Sequence, residues 1–541
     1  MNRYQGCFEA LSGGKVTGWA QTDGGIPARV GLYLDDVFVC ADLADLAHTD
    51  HMDCGFALSL PPEAFDGQTH MIDVRYLPLG LSLNPAPLRI IPDDGHHVMP
   101  VTGDAARSAP PRRLQNTPPA SKPTCTPRTL PRIAYILSIR MGGVPETNRD
   151  LMAALSDTYE PWVITCNSTC IDVFRYHPDG DIRVEKAPLS CPVTPATLQS
   201  GDYDAVMRDI LIRHDFEIVH IRHMGWHATS LPALCKQLGL PVLMSLHDYY
   251  TVCPSIKLLD DQQHHCGGQC SAGTGTCEVE LWRQDQFPPL KHAFVHQWRA
   301  RFDEVLSHCD GFVTTSRASM DILKQAHPLL QKTDFRLIEH GRDFAPQSPL
   351  PDHWPAPDEK LKILIPGGIS PAKGADIVNA LIALNTEGQC EFHILGNGWY
   401  IQKDNPHVFD HGPYERADFT ARVAAIAPHM GAVLSIWAET YCHTLTEMWA
   451  CGLPVLGLDI GAVGERIRAH GGGWHLPVNS NPADIYAHLL QIKTSTPLSP
   501  VRQQLRLWRQ THDHNHTTAH MAADYRRFYK DIHTRQTGLA T

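Results

Sequence analysis

Long apolar runs are missing from this sequence: no stretch approaches the roughly 18 residues of a membrane-spanning helix. The opening Met1-Asn2-Arg3-Tyr4-Gln5-Gly6 also lacks the apolar core of a secretory signal. Positive charge is in short supply, with 46 Lys and Arg against 58 Asp and Glu and a net charge of −12. That excludes a general nucleic-acid binder, which needs a basic footprint to replace phosphate counterions. It leaves room for a local basic pocket that holds one diphosphate. No short internal repeat and no strong basic amphipathic stretch is present, so peripheral membrane contact stays open. The expected location is the cytosol, where the 16 cysteines read as thiols or metal ligands rather than disulfides. The 32 histidines carry no role by number alone.

What is present is enough apolar residue for large cores, 43% of 541 residues. The length suggests roughly three or four domains. Residues 1–93 read as a small β-sandwich. Val16–Ala20, Ala28–Leu34, Val37–Cys40, Gly55–Leu60 and His70–Tyr76 are short strand-like runs, with Asp35-Asp36 as a hairpin turn. Residues 94–130 are rich in Pro, Ser, Thr and Arg and read as a linker. From Pro131 strand-like runs alternate with helical stretches, the signature of parallel α/β layers. The runs of residues 131–345 are Ile133–Ile139, Trp162–Thr165, Ile218–Ile221, Pro241–Leu246 and Gly311–Ser316. A hinge is expected at Pro346–Asp358, which holds five prolines. Residues 346–541 then repeat the pattern with Ile363–Ile365, Glu391–Leu395, Ala432–Ile436 and Pro454–Leu458. Two Rossmann-like lobes put a cleft between them, the usual place for a ligand.

The most informative segment runs from Trp437 to Pro454 and holds Glu439 and Glu447 in an E-x7-E spacing. A helix starting near Cys442–Thr444 places Leu445, Met448, Trp449 and Gly452 on one side. The open N–H groups of its first turn, around His443, Thr444 and Leu445, suit an anion such as a diphosphate. The two carboxylates suit sugar and ribose hydroxyls. Cap and dipole partners for the helix are the structural alternative. A second segment, Pro366-Gly367-Gly368-Ile369-Ser370-Pro371-Ala372-Lys373-Gly374, follows the first strand of the second lobe. It is not a P-loop, because Lys373 is followed by Gly. Its glycines allow close backbone approach and Lys373 supplies a point charge. A solvated turn is the alternative. Gly142-Gly143 follows the first strand of lobe one and suits the approach of a ligand to backbone amides. His247 ends a strand and faces the same two readings, ligand contact or satisfied core residue.

These motifs resemble glycosyltransferase family 4, the retaining enzymes of the GT-B fold, and in particular a bacterial polysaccharide-type subgroup. The resemblance spans roughly Pro131 to Tyr529. It implies an α/β fold of two Rossmann-like lobes behind a small β-sandwich. It also implies a nucleotide-sugar donor and a glycan or lipid-linked acceptor. Glu439 would contact the donor sugar, Glu447 the ribose, and Lys373 the diphosphate. His247 would lie near the reacting sugar, and Gly142-Gly143 would face the diphosphate and the acceptor. Many members carry an Arg where this chain has Gly368; its loss leaves Lys373, the helical amides and Arg342 to hold the diphosphate. Arg342 equally suits a structural pair with Asp343 or Glu339. Arg222 and His223 are weaker candidates on the acceptor side. No cofactor is implied for the chemistry itself. A nucleotide-sugar epimerase on the same fold, and a non-catalytic sugar- or nucleotide-binding module, are the competing readings.

Cys253, Cys266, Cys270 and Cys277 are spaced C-x12-C-x3-C-x6-C in a Gly-rich loop. Four thiols this close suit a structural zinc site, although there is no CxxC knuckle. Unligated thiols are the alternative. Trp19 reads as a core residue of the sandwich rather than a sugar platform. The stretch Ala519–Ile532 places Met521, Tyr525, Phe528 and Tyr529 at helical spacing and looks like a terminal helix returning to lobe one.

Overall fold

The computed structural model describes residues 4–12, 15–22, 26–35, 37–46, 54–60, 70–76, 81–83, 88–90, 98–99, 130–138, 143–193, 200–270, 277, 279, 293–344, 354–494 and 499–537. They fall into two compact units, Met1–Thr126 and Pro127–Thr541.

The first unit is all β. One antiparallel sheet pairs Tyr4–Ser12, Lys15–Thr22 and Ile26–Pro27 in that order, with Gly55–Ser59 also on Lys15–Thr22. A second runs Val98–Met99, Leu88–Ile90, His70–Tyr76, Arg29–Leu34, Val37–Leu43, with Leu81–Ser82 on His70–Tyr76. Alternation along Lys15–Thr22 turns Val16, Gly18 and Ala20 inward. These strands pack Val16, Phe56 and Leu58 against Val30, Leu32, Ile72 and Val74 of the other sheet in one core. Leu34 lies opposite Val37 across a tight turn in which Asp35 takes φ 50°. Trp19 is half-buried. The strand Val98–Met99 falls inside the stretch read as linker; most of the rest of that stretch lies outside the described residues.

The second unit holds two doubly wound lobes. Lobe one has eight strands in the order Ile182–Pro188, Cys170–Arg175, Glu160–Cys166, Arg132–Leu137, Ile218–Ile221, Val242–Ser245, Gly311–Thr314, Phe335–Leu337. The first two join antiparallel and the others run parallel. Lobe two is parallel throughout: Val408–Asp410, Cys390–Leu395, Leu361–Pro366, Met430–Val433, Val455–Asp459, Gly473–Pro477. In each lobe the strand order reverses beside the first strand, Arg132–Leu137 and Leu361–Pro366. Ligands of open parallel sheets bind at the carboxyl ends of such strands.

The helix Thr518–Thr537 closes the unit by returning to lobe one. Met521, Tyr525, Phe528, Tyr529 and Ile532 are buried against Ile133, Tyr135, Leu137, Leu243 and Val313. Each such side chain stabilises by about 1.5–3 kcal/mol through the area it removes from water. Gly311 makes the fit possible, because a Cβ there would lie 2.6 Å from Phe528. The helix is also tied by polar bonds. The Tyr529 hydroxyl meets His220 Nδ1 at 2.7 Å and the Tyr135 hydroxyl at 3.2 Å. The junction residues Pro346–Asp358 lie largely outside the described residues. Among the described residues no helix is long and apolar enough to cross a membrane.

Candidate functional site

The cleft is built on the carboxyl ends of both sheets. In lobe two, the strand Leu361–Pro366 ends at Gly367 and Gly368 and runs into a single 3-10 turn, Pro371–Lys373. Gly374 stops that turn at φ 84°, where a Cβ would sit 2.1 Å from the Leu434 carbonyl oxygen. Only glycine fits there, and it fixes where Lys373 leaves the backbone. The Lys373 ammonium lies 3.6 Å from Glu439 Oε2 and remains 39% exposed, while the Glu439 side chain is only 7% exposed. Ser435 donates its hydroxyl hydrogen bond to the other oxygen, Oε1. Glu439 holds the lysine pKa above its usual value. Gly368 faces open space, with no atom within 4 Å of where its Cβ would be.

Glu447 lies inside the helix His443–Ala450. Cys442 precedes it in a left-handed backbone, φ 72°, and no side chain caps the helix start. Such strain in a non-glycine residue clusters at ligand sites. Buried Arg466 holds the segment in place through the carbonyls of Tyr441 and Cys442, at 3.0 and 3.2 Å, and through Thr446 Oγ1 at 2.8 Å. Leu445 is fully buried in the core beneath, so only its backbone faces the cleft side. The Thr444 methyl is 3.1 Å from where a Gly367 Cβ would be, which sets the two loops side by side. Glu447 is buried and both of its oxygens are engaged. Arg342 Nη2 donates to Oε1 at 2.8 Å and the Tyr414 hydroxyl to Oε2 at 3.2 Å. Arg342 therefore pairs with neither Asp343 nor Glu339; those carboxylates bind Thr518 and His516 instead.

Lobe one faces this helix directly. Gly143 opens the helix Gly143–Leu155, and a Cβ there would lie 3.8 Å from His443. Two helix starts, each the positive end of a helix dipole, thus converge on one space. Gly142 lies outside the described residues. His247 is buried and neither ring nitrogen has a hydrogen-bond partner. A buried polar group left unpaired costs about 1–3 kcal/mol, and His247 carries two such nitrogens at the strand end that faces the cleft. Its ring packs on His340 at 5.1 Å, and His340 stacks on His443 at 5.2 Å and 16°. Burial, aided by neighbouring charges, holds all three imidazoles well below their ordinary pKa of 6.5. Arg222 turns inward instead, bonding Tyr525 at 3.1 Å and Ser245 at 3.3 Å. It serves the crossover helix rather than an acceptor. His223 sits between Ser138, at 2.6 Å, and Asp248, at 3.0 Å.

The lobes are tied by several bonds. Thr440 Oγ1 donates to the His247 carbonyl, Thr315 Oγ1 to the Thr440 carbonyl, both at 2.7 Å, and the Tyr249 hydroxyl to the Ala438 carbonyl at 2.9 Å. Glu465 accepts from the backbone N–H groups of Arg317 and Ala318 at 3.0 and 2.7 Å. His340, Tyr414, Arg416 and Arg466 belong to this neighbourhood, and no motif in the sequence singles them out.

The Cys253 thiol accepts from the Ser255 hydroxyl at 3.2 Å, and burial pushes the Cys253 and Cys266 thiols above their usual pKa. Among the described residues no group of three or more His, Cys, Asp or Glu side chains is placed to hold a metal ion. Residues 271–276, inside the cysteine loop, lie outside the described residues.

Two doubly wound lobes, a cleft between them and a helix returning from the second to the first define the GT-B fold of glycosyltransferases. Residues 141–345 match the family model described as Glycosyltransferase Family 4, so Lys373, Glu439 and Glu447 lie beyond the matched residues. Among solved structures, sucrose-phosphate synthase from Thermosynechococcus elongatus superposes with a TM-score of 0.51. It is 14% identical, over 75% of this chain and 100% of that one. That likeness is one of fold. A glycosyltransferase from Rickettsia africae reaches 0.48 at 14% identity, covering 75% and 99%. The catalytic domain of starch synthase IV from Arabidopsis thaliana reaches 0.48 at 12%, covering 76% and 100%. No curated protein matches the chain.

Proposed function

We propose that the chain is a retaining glycosyltransferase that moves a sugar from a nucleoside diphosphate sugar to a glycan or lipid-linked acceptor, in the assembly of a surface polysaccharide. One observation carries this reading: Lys373 with Glu439, and Arg342 with Glu447, flank a single uncapped helix start that faces the start of a second helix. The diphosphate takes the space between the helix starts, against Lys373 and the amides near Thr444. Glu439 accepts hydrogen bonds from hydroxyls of the transferred sugar, and Glu447 from the ribose. His247, with both nitrogens open, bonds the reacting sugar. The bond from the anomeric carbon to the diphosphate breaks as the bond to the acceptor oxygen forms on the same face. The acceptor's proton passes to the departing diphosphate oxygen. Catalysis then rests on positioning and on neutralising the leaving group.

Thermal stability with a panel of nucleotides and nucleotide sugars tests the donor site. A specific ligand at 100 times its dissociation constant adds about 2.7 kcal/mol. The expected result is a shift with one nucleoside diphosphate that is lost in Lys373→Ala. No shift with any of them sinks the reading. The occupied oxygens of Glu447 favour a second reading, a non-catalytic nucleotide-binding module. A nucleotide shift without transfer to any acceptor supports that module, and turnover of a nucleotide sugar without acceptor supports an epimerase.

A further inference from the structure

Arg416 lies in lobe two, on the loop between the strand Val408–Asp410 and the helix Phe419–Ile426. Its guanidinium reaches across to lobe one. Nη1 donates to Asp150 Oδ1 at 3.0 Å and Nη2 to Asp150 Oδ2 at 2.6 Å, with Glu146 Oε2 3.9 Å away. Asp150 and Glu146 stand on the helix Gly143–Leu155, whose start faces His443. The same loop carries Tyr414, whose hydroxyl bonds Glu447. A short stretch of chain thus touches one carboxylate of the candidate site and grips the lobe-one helix opposite it.

We infer that Arg416 and Asp150 form the clamp that sets the two helix starts at their working separation. A paired fork on a carboxylate is directional, so it fixes spacing and orientation where a point charge fixes neither. The pair is partly exposed, 31% and 23%, and contributes little to the stability of either lobe. Its effect lies in which separation of the lobes is populated. The other interlobe bonds, of Thr440, Thr315, Tyr249, Glu465, Arg342 and Tyr441, involve the segments at 247–249, 315–319, 340–342, 438–447 and 461–470. Arg416 acts from another side, through the helix Gly143–Leu155. Arg416 and Asp150 are positioning residues. The consequence for nucleotide binding rests on the donor-site reading; the clamp itself rests on the ion pair.

The test uses the full chain. Small-angle scattering without nucleotide is recorded for wild type, Arg416→Ala, Asp150→Ala and the exchanged pair Arg416→Asp with Asp150→Arg, each checked for its fold by circular dichroism. Both single variants should show a larger radius of gyration, and the exchange should reverse it. Wild type should move toward the single variants as salt rises, because a part-exposed pair is screened, and Arg416→Ala should not respond. This arm requires no substitution to fold well. With uridine, adenosine and guanosine diphosphates as probes, the single variants should bind about tenfold more weakly, the usual scale of coupling between two states. Unchanged scattering in both single variants overturns the clamp, and so does an opening that the exchange fails to reverse. If scattering behaves as expected while wild type binds no nucleotide, the donor-site reading falls and the clamp stands.

Discussion

The two halves of the cleft are made of different material. Lobe two presents charges already compensated: Lys373 on Glu439, and Glu447 on the buried Arg342 that lobe one supplies. Lobe one adds a neutral group without a partner, the buried His247 imidazole. Each half meets a different requirement. The charged half is held together before any ligand arrives, since an unpaired buried ion is costly. The neutral half keeps its capacity unspent, at a cost in stability that the surrounding core supports.

The sharpest break of this comparison is Glu447→Ala. It leaves the Arg342 guanidinium, 6% exposed, without its carboxylate. The expected loss is about 3–5 kcal/mol in urea unfolding, as for other broken buried pairs. A loss below about 1 kcal/mol would mean that water already compensates the pair.

The imidazole stack shared by the two lobes answers to acid. His247, His340 and His443 are held uncharged in the fold, below the ordinary pKa of 6.5. As pH falls through about 6.5 the unfolded chain takes up their protons first. Their contribution is therefore whole above that pH and is lost below it, at about 1.4 kcal/mol per pH unit for each imidazole. Arg222, Arg342, Arg416, Arg466 and Lys373 act against protonation as well. Replacing His340 with Asn should flatten the acid limb by about one such increment between pH 6.5 and 5.5. An unchanged slope would place the acid sensitivity elsewhere, for example at buried His220 or His227.

How much of this was legible beforehand follows from chain distance and periodicity. The helix carrying Glu447, the Lys-Gly turn and most parallel strands announce themselves by local pattern. The strands Cys170–Arg175 and Ile182–Pro188 do not. The second is exposed along most of its length, so no apolar alternation marks it. Val408–Asp410 is three residues long and two of them are exposed. The stack of His247, His340 and His443 joins three distant segments, and Arg416 meets Asp150 from the other lobe. Only the topology brings such residues together. Arg222 misled for the converse reason: its place at a strand end suited a ligand, but the crossover helix occupies that side.

Smaller perturbations sharpen the contrast between the joined and the free surfaces. Tyr249→Phe removes a hydroxyl shared between Ala438 and Ser319 across the lobes and should cost about 1 kcal/mol. A cost near zero would show that this side of the interface holds without it. Trp399 is 80% exposed in the loop after the strand Cys390–Leu395, and Trp399→Ser should leave unfolding within about 0.5 kcal/mol of wild type. A larger loss would reveal packing that this surface position does not suggest.

The helix Thr518–Thr537 has a consequence for how the protein is made. It fills the core of lobe one, yet it is translated after the whole of residues 361–494. A nascent chain on the ribosome therefore carries lobe one with Tyr135, Val313 and His220 uncovered until residues 518–537 have emerged behind lobe two. Lobe one is begun first and finished last, and the interval between is when this chain most needs a chaperone.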